Sequence, residues 1–306
     1  MSVKLYTAAA ALLSLAACNN GEMNDPLADG PVAAQVTAGI SRTVTCASTD
    51  DGGAASFTTG DVIHVVANGG TYDYSYDGTG WSAVMTPYYF QDHNNVTFRA
   101  WYAAPGVKAD EEKLIYIDTR TQPTDSETGW NHHDILVTPD VETTVSNPSV
   151  SFTEDKAFRH IMSQVVFTFK KGDGIPDLSR LSGYTLDGIV TGATFDTQNP
   201  GLTAESKKYF IDIMGIDDAS GGEYTASPLI LVPQTITSGK LNLEVYYNKQ
   251  IYKATLNAPK DNQLLPGYSY AYTVTISNTE LIVGDAVIKG WETFKGFNGN
   301  GEATLQ

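Results

Sequence analysis

The sequence is poor in cysteine, with only Cys18 and Cys46 among its 306 residues. They do not form a C-x-x-C pair, and no Cys/His cluster has the spacing of a zinc site. We therefore expect no structural metal and no cofactor, and a fold that is stabilised by burial of apolar side chains. Cys46 is interpreted as a small core or strand residue.

Basic residues are also scarce, since 19 Lys and Arg stand against 35 Asp and Glu, giving a formal net charge of −16. The acidic residues are scattered along the chain, which indicates a solvated surface and not an acidic tail. Such a surface repels nucleic acid and anionic membranes. We expect no nucleic-acid partner.

Long hydrophobic runs are missing as well. The apolar run from Leu5 to Ala17, preceded by Lys4, is shorter than the roughly 20 residues that a membrane-spanning helix needs. A positive start, a short apolar stretch and small residues are typical of an export signal, here residues 1–17. Residues 18–30 are predicted to form a polar tether.

The residues Leu15-Ala16-Ala17-Cys18 resemble a bacterial lipobox. The resemblance implies cleavage before Cys18 and acylation of its sulfur. A multiply acylated cysteine would hold the chain firmly to a membrane. The alternative is an ordinary signal peptide that is followed by a chance cysteine.

The dominant hydrophobic period is two residues, and no capped amphipathic helix of three turns is visible. Apolar and more polar residues alternate in two clear examples. In one, the apolar row is Val96, Phe98, Ala100 and Tyr102, and the row between includes Trp101. In the other, the apolar row is Leu241, Leu243, Val245 and Tyr247, and the row between includes Asn242 and Glu244. This pattern is typical of strands with one buried face. The sequence predicts an all-β protein with about fifteen strands.

About 290 mature residues are enough for two domains of ordinary size. The strand spacing favours two β-sandwiches. We place an N-terminal sandwich at residues 31–155 and a C-terminal one at 156–306.

Several segments, taken in order, resemble the fimbrillin family of Bacteroidetes, the subunits of type V pili and related surface lipoproteins. The matching segments are 35–43 (QVTAGISRT), 57–65 (FTTGDVIHV), 134–136 (DIL), 158–165 (FRHIMSQV), 232–235 (VPQT), 265–270 (LPGYSY) and 288–291 (IKGW). No one segment is diagnostic, but their order behind a lipobox covers nearly the whole mature chain.

The resemblance implies two tandem transthyretin-like Greek-key β-sandwiches, exported as an outer-membrane lipoprotein. In polymerising members an arginine-specific protease removes the N-terminal strand, and a C-terminal strand of the next subunit fills the vacated groove. Arg42 is the matching processing position, although a solvent-facing arginine that is never cut is the alternative. On strict alternation, the residues of the displaced strand that face the groove are Ala34, Val36, Ala38 and Ile40.

The resemblance leaves the role within a fimbrium open. The tail from Glu292 to Gln306 is rich in glycine and polar residues, whereas a donor strand needs alternating apolar residues. The expected partners are other fimbrial subunits, and the chain is a stalk subunit, a lipid-retaining anchor or an accessory subunit. Trp291 is expected to close the end of a sandwich core, and His160 to pack beside Phe158 as a hydrogen-bonded edge residue.

The sequence offers weak candidates for other functions. His132 and Asp134 share one face of an extended segment and could converge on a metal, but a polar loop entering a strand is the favoured interpretation. The segment from Lys171 to Asp177 lacks ligands of an EF-hand and favours a hairpin turn. No G-x-S-x-G or phosphate-binding motif occurs, so we expect no enzyme.

Exposed aromatic residues could bind a host or bacterial glycan. The candidates are Trp81, Trp101, Trp130, Tyr88 and Tyr89. Aromatic side chains dominate small sandwich cores, so core packing is expected for most of them. The alternative to a polymerising subunit is therefore a surface lipoprotein that binds glycan.

Overall fold

The computed structural model describes residue 27 and residues 30–41, 56–104, 106–122 and 132–291. Several positions singled out above lie outside these ranges: Cys18, Arg42, Cys46, Trp130 and the tail 292–306. The expectations made for them stay predictions.

The described chain is built almost entirely of β-strands, and these ranges contain no α-helix. Up to residue 160 the strands are β1 (Gln35–Ala38), β2 (Val62–Ala67), β3 (Gly70–Tyr76), β4 (Trp81–Ala83), β5 (Val96–Ala103), β6 (Leu114–Asp118), β7 (Ile135–Val137), β8 (Val141–Thr143), β9 (Ser149–Phe152) and β10 (Arg159–His160). The predicted all-β class is confirmed.

The remaining strands follow in order. They are β11 (Ser163–Lys171), β12 (Leu181–Val190), β13 (Gly192–Asp196), β14 (Gly201–Ala204), β15 (Lys208–Met214), β16 (Glu223–Thr225), β17 (Leu229–Leu231), β18 (Gln234–Thr235), β19 (Lys240–Tyr247), β20 (Gln250–Asn257), β21 (Gln263–Leu264), β22 (Tyr268–Ile276), β23 (Leu281–Val283) and β24 (Val287–Gly290). Two short 3-10 turns span Glu154–Lys156 and Lys260–Asn262. Among the residues with a described structure, no helix is long and apolar enough to cross a membrane.

The first half is organised around one sheet with the order β10-β7-β5-β2-β3-β4, in which β8 also pairs with β5. Strands β2 and β3 form a hairpin, and the turn residues Asn68 and Gly69 both have positive φ angles, of 48° and 74°. An Asn-Gly pair suits this geometry because both residues tolerate left-handed backbone. Strands β1 and β9 form a separate two-stranded parallel sheet that covers the same core.

The second half packs two sheets on one core. One sheet has the order β16-β11-β22-β23, with β17 and β24 added, and the other has the order β15-β12-β19-β20. Their buried side chains, including Phe167, Tyr184, Leu243 and Tyr272, belong to a single apolar cluster. This is the arrangement of a β-sandwich.

A third core joins the two halves. Strand β6 pairs with β13, so one small sheet contains strands from both sides of residue 155. The cluster beside it combines Trp101 and Ile135 with Met162, Phe195 and Trp291. Strand β10, which follows residue 155, pairs with β7 of the first sheet. The division at residue 155 and the tandem transthyretin-like arrangement stay predictions.

Two local expectations were wrong. Trp101 was expected on the outward row of β5, but it is buried because the junction core covers that face. The segment from Lys171 to Asp177 does not close a hairpin, since β11 and β12 lie in different sheets and the segment connects them.

Candidate subunit interface

The N-terminal strand β1 lies parallel to β9 and pairs with it from Gln35 opposite Ser149 to Ala38 opposite Phe152. The backbone N–H of Gln35 donates to the carbonyl oxygen of Pro148 at 2.8 Å. At the other end, the N–H of Gly39 donates to the oxygen of Phe152 at 2.9 Å. The pairing joins two segments that are distant in the sequence.

Hydrogen bonds also fix the backbone on both sides of β1. Ahead of the strand, the N–H of Ala34 donates to the oxygen of Tyr88 at 2.8 Å. Behind it, the N–H of Phe158 donates to the oxygen of Gly39 at 2.9 Å, and the N–H of Ser41 donates to the oxygen of Phe158 at 2.8 Å. Backbone hydrogen bonds therefore hold the segment at three places: at Tyr88, along β9 and at Phe158.

The side chains of β1 alternate between core and solvent. Ala34 and Val36 are 6% exposed, and Ala38 and Ile40 are partly buried against the same apolar cluster. Gln35 and Thr37 between them are exposed. The four inward residues contact a cluster rich in aromatic rings: Phe57, Tyr74, Tyr88, Phe90, Phe98, Tyr102, Phe152 and Phe158.

Trp81 holds the outer side of β1. Its indole Nε1–H donates to the carbonyl oxygen of Ala38 at 3.3 Å, and its ring meets Phe57 edge to face at 4.9 Å between centroids. The sequence suggested Trp81 as a glycan candidate, but the ring is partly buried and engaged in these contacts. Its role beside β1 was missed because alternation says nothing about which strands become neighbours.

The energy that holds β1 is modest. A fully buried Val or Ile side chain contributes about 1.5–3 kcal/mol. Ordering the backbone of each residue costs about 1–2 kcal/mol. A short strand with two small and two medium apolar residues thus gains little beyond its ordering cost, and another strand of matching pattern could occupy the same place.

Asp134, one of the two metal candidates, and the neighbouring His133 have structural partners. Asp134 is buried, and its Oδ1 lies 2.8 Å from Nδ1 of buried His160. Nε2 of His133 lies 3.0 Å from the carbonyl oxygen of Thr121, and burial lowers the pKa of His133. Across the described ranges, no group of three His, Cys, Asp or Glu could hold a metal ion.

A second His–Asp pair spans β2 and β3. Nδ1 of His64 lies 2.7 Å from Oδ1 of Asp73, and this hydrogen bond lowers the pKa of the Asp73 carboxyl despite partial burial. The His64 ring stacks on Trp101, with centroids 3.9 Å apart and planes 21° from parallel. The two residues face each other in the strand register, so the pair serves to join strands.

The aromatic candidates for glycan binding are mostly internal. Trp101 and Tyr88 are buried, whereas Tyr89 is 38% exposed. Among the described residues, Tyr116, at 66%, and Phe210, at 53%, have more exposed rings. Neither ring was a candidate from the sequence, because alternation cannot tell which sheet faces stay uncovered.

The chain was compared with known proteins. The family model described as Fimbrillin-like matches residues 40–291. A crystal structure of a proposed cell adhesion protein from Bacteroides uniformis is 18% identical, with a TM-score of 0.64, over 85% of this chain and 99% of that one. A similar protein from Bacteroides ovatus is 19% identical, with a TM-score of 0.63, over 87% of this chain and all of that one. At these identities the two structures establish the fold alone.

A search of curated proteins finds no match.

Proposed function

Because the chain belongs to the fimbrillin-like family, we propose that it is a structural and adhesive subunit of a bacterial fimbrium. It is exported as a lipoprotein through acylation of Cys18 and reaches the cell surface attached to the outer membrane. It then assembles with other fimbrial subunits by strand exchange. The proposed cell adhesion proteins from Bacteroides share the fold, which is consistent with this role.

One observation supports the assembly mechanism: β1, the first described strand, is short and is held by hydrogen bonds to β9 and by two small and two medium inward side chains. If β1 departs, the edge of β9 and an apolar groove become open. Unpaired edge backbone recruits another strand, and the side-chain positions set its register. A chain end of a neighbouring subunit then takes the place of Ala34, Val36, Ala38 and Ile40.

Proteolysis after Arg42 provides the trigger. The last described residue before this position, Ser41, is hydrogen bonded to Phe158, so the proposed cut lies directly behind the attached segment. The cut separates β1 and the lipid-bearing Cys18 from the rest of the subunit. The same event therefore opens the groove and frees the subunit from the membrane.

The test uses the full mature chain and an arginine-specific protease. We expect one early cut after Arg42, identified by mass spectrometry, followed by ladders that survive unheated denaturing gels. The matched control is Arg42→Lys, which keeps the charge and resists this protease. A wild-type chain that resists the cut would overturn the processing step and favour a lipid-retaining anchor, and a cut chain that stays monomeric would overturn strand exchange.

A further inference from the structure

The residues that follow β1 and the residue Trp291 contact the same short segment, Phe158–His160. On one side, Phe158 bridges to Ile40 and exchanges two backbone hydrogen bonds with Gly39 and Ser41. On the other side, the His160 ring stacks on Trp291, with centroids 4.2 Å apart and planes 11° from parallel. Trp291 is the last described residue before the tail 292–306.

The side of the segment that faces Trp291 is tightly packed. His160 and Asp134 are joined by their 2.8 Å hydrogen bond, and Trp291 is 4% exposed. The N–H of Trp291 donates to the oxygen of Gly267, whose own N–H donates to the oxygen of Met162, each at 2.8 Å. Trp291 is thus held by its stacking on His160 and by a hydrogen bond to Gly267, which is itself hydrogen bonded to Met162.

The backbone is closely packed at Gly267. Gly267 has a φ of +74°, and a Cβ at this position would lie 3.2 Å from the carbonyl oxygen of His160. The peptide of His160 therefore packs directly on the loop that holds Trp291. A displacement of the segment changes the position of this carbonyl and of the imidazole together.

The side of the segment that faces β1 depends on the presence of that strand. Phe158 is fully buried, packed edge to face on Phe57 at 5.3 Å and close to Phe152 at 6.1 Å. Removing β1 takes away Ile40 and two of the backbone hydrogen bonds of Phe158. It also removes the packing of Ile40 against the apolar cluster that contains Phe158. Exposure of apolar surface to water is unfavourable and favours rearrangement.

We propose that the segment Phe158–His160 couples the binding of β1 in its groove to the packing of Trp291. Departure of β1 then weakens the contacts that hold Trp291, the residue that precedes the C-terminal tail. This inference rests on the proposed function and adds its regulation. Trp291 stays packed in an intact subunit, and its contacts are weakened in a processed subunit that has lost β1.

The coupling is tested in the full chain without protease or polymer. Val36→Asp places a charge on the buried row of β1, whereas Gln35→Asp places it on the exposed row of the same strand. Hydrogen exchange of the Gly267 and Trp291 amides is then measured. We expect Val36→Asp to accelerate both by about tenfold or more, a size typical of coupled sites, while Gln35→Asp leaves them unchanged.

Energetic coupling between two sites is reciprocal. Trp291→Ala should therefore accelerate exchange of the Gly39 and Ser41 amides, and Val287→Ala on the exposed part of β24 should not. Exchange in β19 monitors the core of the second half and should stay slow in every variant. No change at the distant amides, or an equal acceleration in β19, would overturn the coupling.

The outcomes separate this inference from the function on which it rests. If the cut chain polymerises but Val36→Asp leaves Trp291 protected, the coupling is wrong and strand exchange stands. If Val36→Asp loosens Trp291 but the cut chain stays monomeric, the coupling stands and strand exchange is wrong.

Discussion

The indole nitrogen of Trp81 donates a hydrogen bond to the carbonyl oxygen of Ala38, at 3.3 Å. This contact joins β4 to β1 on the side away from β9, although β1 and β4 are not paired as strands. It shows that the N-terminal strand is held by side chains on one side and by backbone pairing on the other.

Replacing Trp81 with Phe should loosen β1. The change removes the hydrogen bond to Ala38 but keeps an aromatic ring beside Phe57, so we expect a loss of about 1 kcal/mol in the stability of the seated strand. Hydrogen exchange of the Gly39 amide is the measurement, with Ser82→Ala on the exposed face of β4 as the control. Unchanged exchange in Trp81→Phe would mean that the indole N–H does not hold the strand.

The inward row of β1 should matter more than the outward row. Val36→Ala removes buried apolar groups and leaves a cavity, which should lower the free energy of unfolding by about 2 kcal/mol. Gln35→Ala changes an exposed side chain of the same strand and should stay within about 0.5 kcal/mol. Urea denaturation followed by tyrosine and tryptophan fluorescence compares the two, and equal effects would contradict the observed facing of β1.

The two His–Asp pairs should differ in strength because one is buried and the other is not. Side chains of Asp134 and His160 are 6% and 5% exposed, against 48% for Asp73 and 26% for His64. Asp134→Ala takes the carboxylate from buried His160 and should cost about 1–3 kcal/mol. Asp73→Ala should cost about 1 kcal/mol or less, since solvent screens the pair.

Thermal unfolding of the two alanine variants at pH 7 measures this difference. If Asp73→Ala lowers the melting temperature as much as Asp134→Ala does, burial is not the deciding factor for these pairs.

Two buried tyrosines should respond oppositely to loss of the hydroxyl. The Tyr184 hydroxyl is buried and has no hydrogen-bond partner in the described part of the chain, whereas the Tyr272 hydroxyl donates to the oxygen of Asn257 at 3.0 Å. Tyr184→Phe should therefore raise the free energy of unfolding by about 1 kcal/mol at pH 7, and Tyr272→Phe should lower it by about 1 kcal/mol. Destabilisation by Tyr184→Phe would indicate an ordered water at that site.

Tyr184 should also contribute to alkaline unfolding. Burial raises the pKa of Tyr184 above its usual value. A raised folded-state pKa gives stability that is fully present below the unfolded pKa of about 10 and is lost as the pH rises towards the folded value. Denaturation curves from pH 9 to pH 12 should fall less steeply for Tyr184→Phe than for the wild type, and an unchanged slope would contradict the assignment.

Much of the fold follows from local pattern. The alternation of Leu241, Leu243, Val245 and Tyr247 with polar neighbours predicts β19, and these four side chains are all buried. The alternation from Ala34 to Ile40 likewise predicts a strand with one apolar face. Trp101 shows the limit of this reasoning, because its row on β5 is exposed within one sheet and becomes buried only through contact with the second half.

The site could be predicted only in part. The resemblance of segments 35–43 and 158–165 to the fimbrillins pointed to β1 and to the segment that follows β9. It did not reveal that Ile40 meets Phe158 or that His160 stacks on Trp291. These contacts join residues that no sequence period relates, so a pattern search cannot find them.

The sequence by itself determined that this protein is all-β, which residues of each strand share a face, and which family it belongs to, because side-chain alternation and ordered motifs are local properties. Only the tertiary structure decided that β1 pairs with β9, at a separation of 114 residues between Thr37 and Ser151. It also decided that the residues after β1 and Trp291 both contact the segment Phe158–His160. Strand partners are selected by the apolar surface that they bury together, and that surface exists only when distant segments have folded against each other.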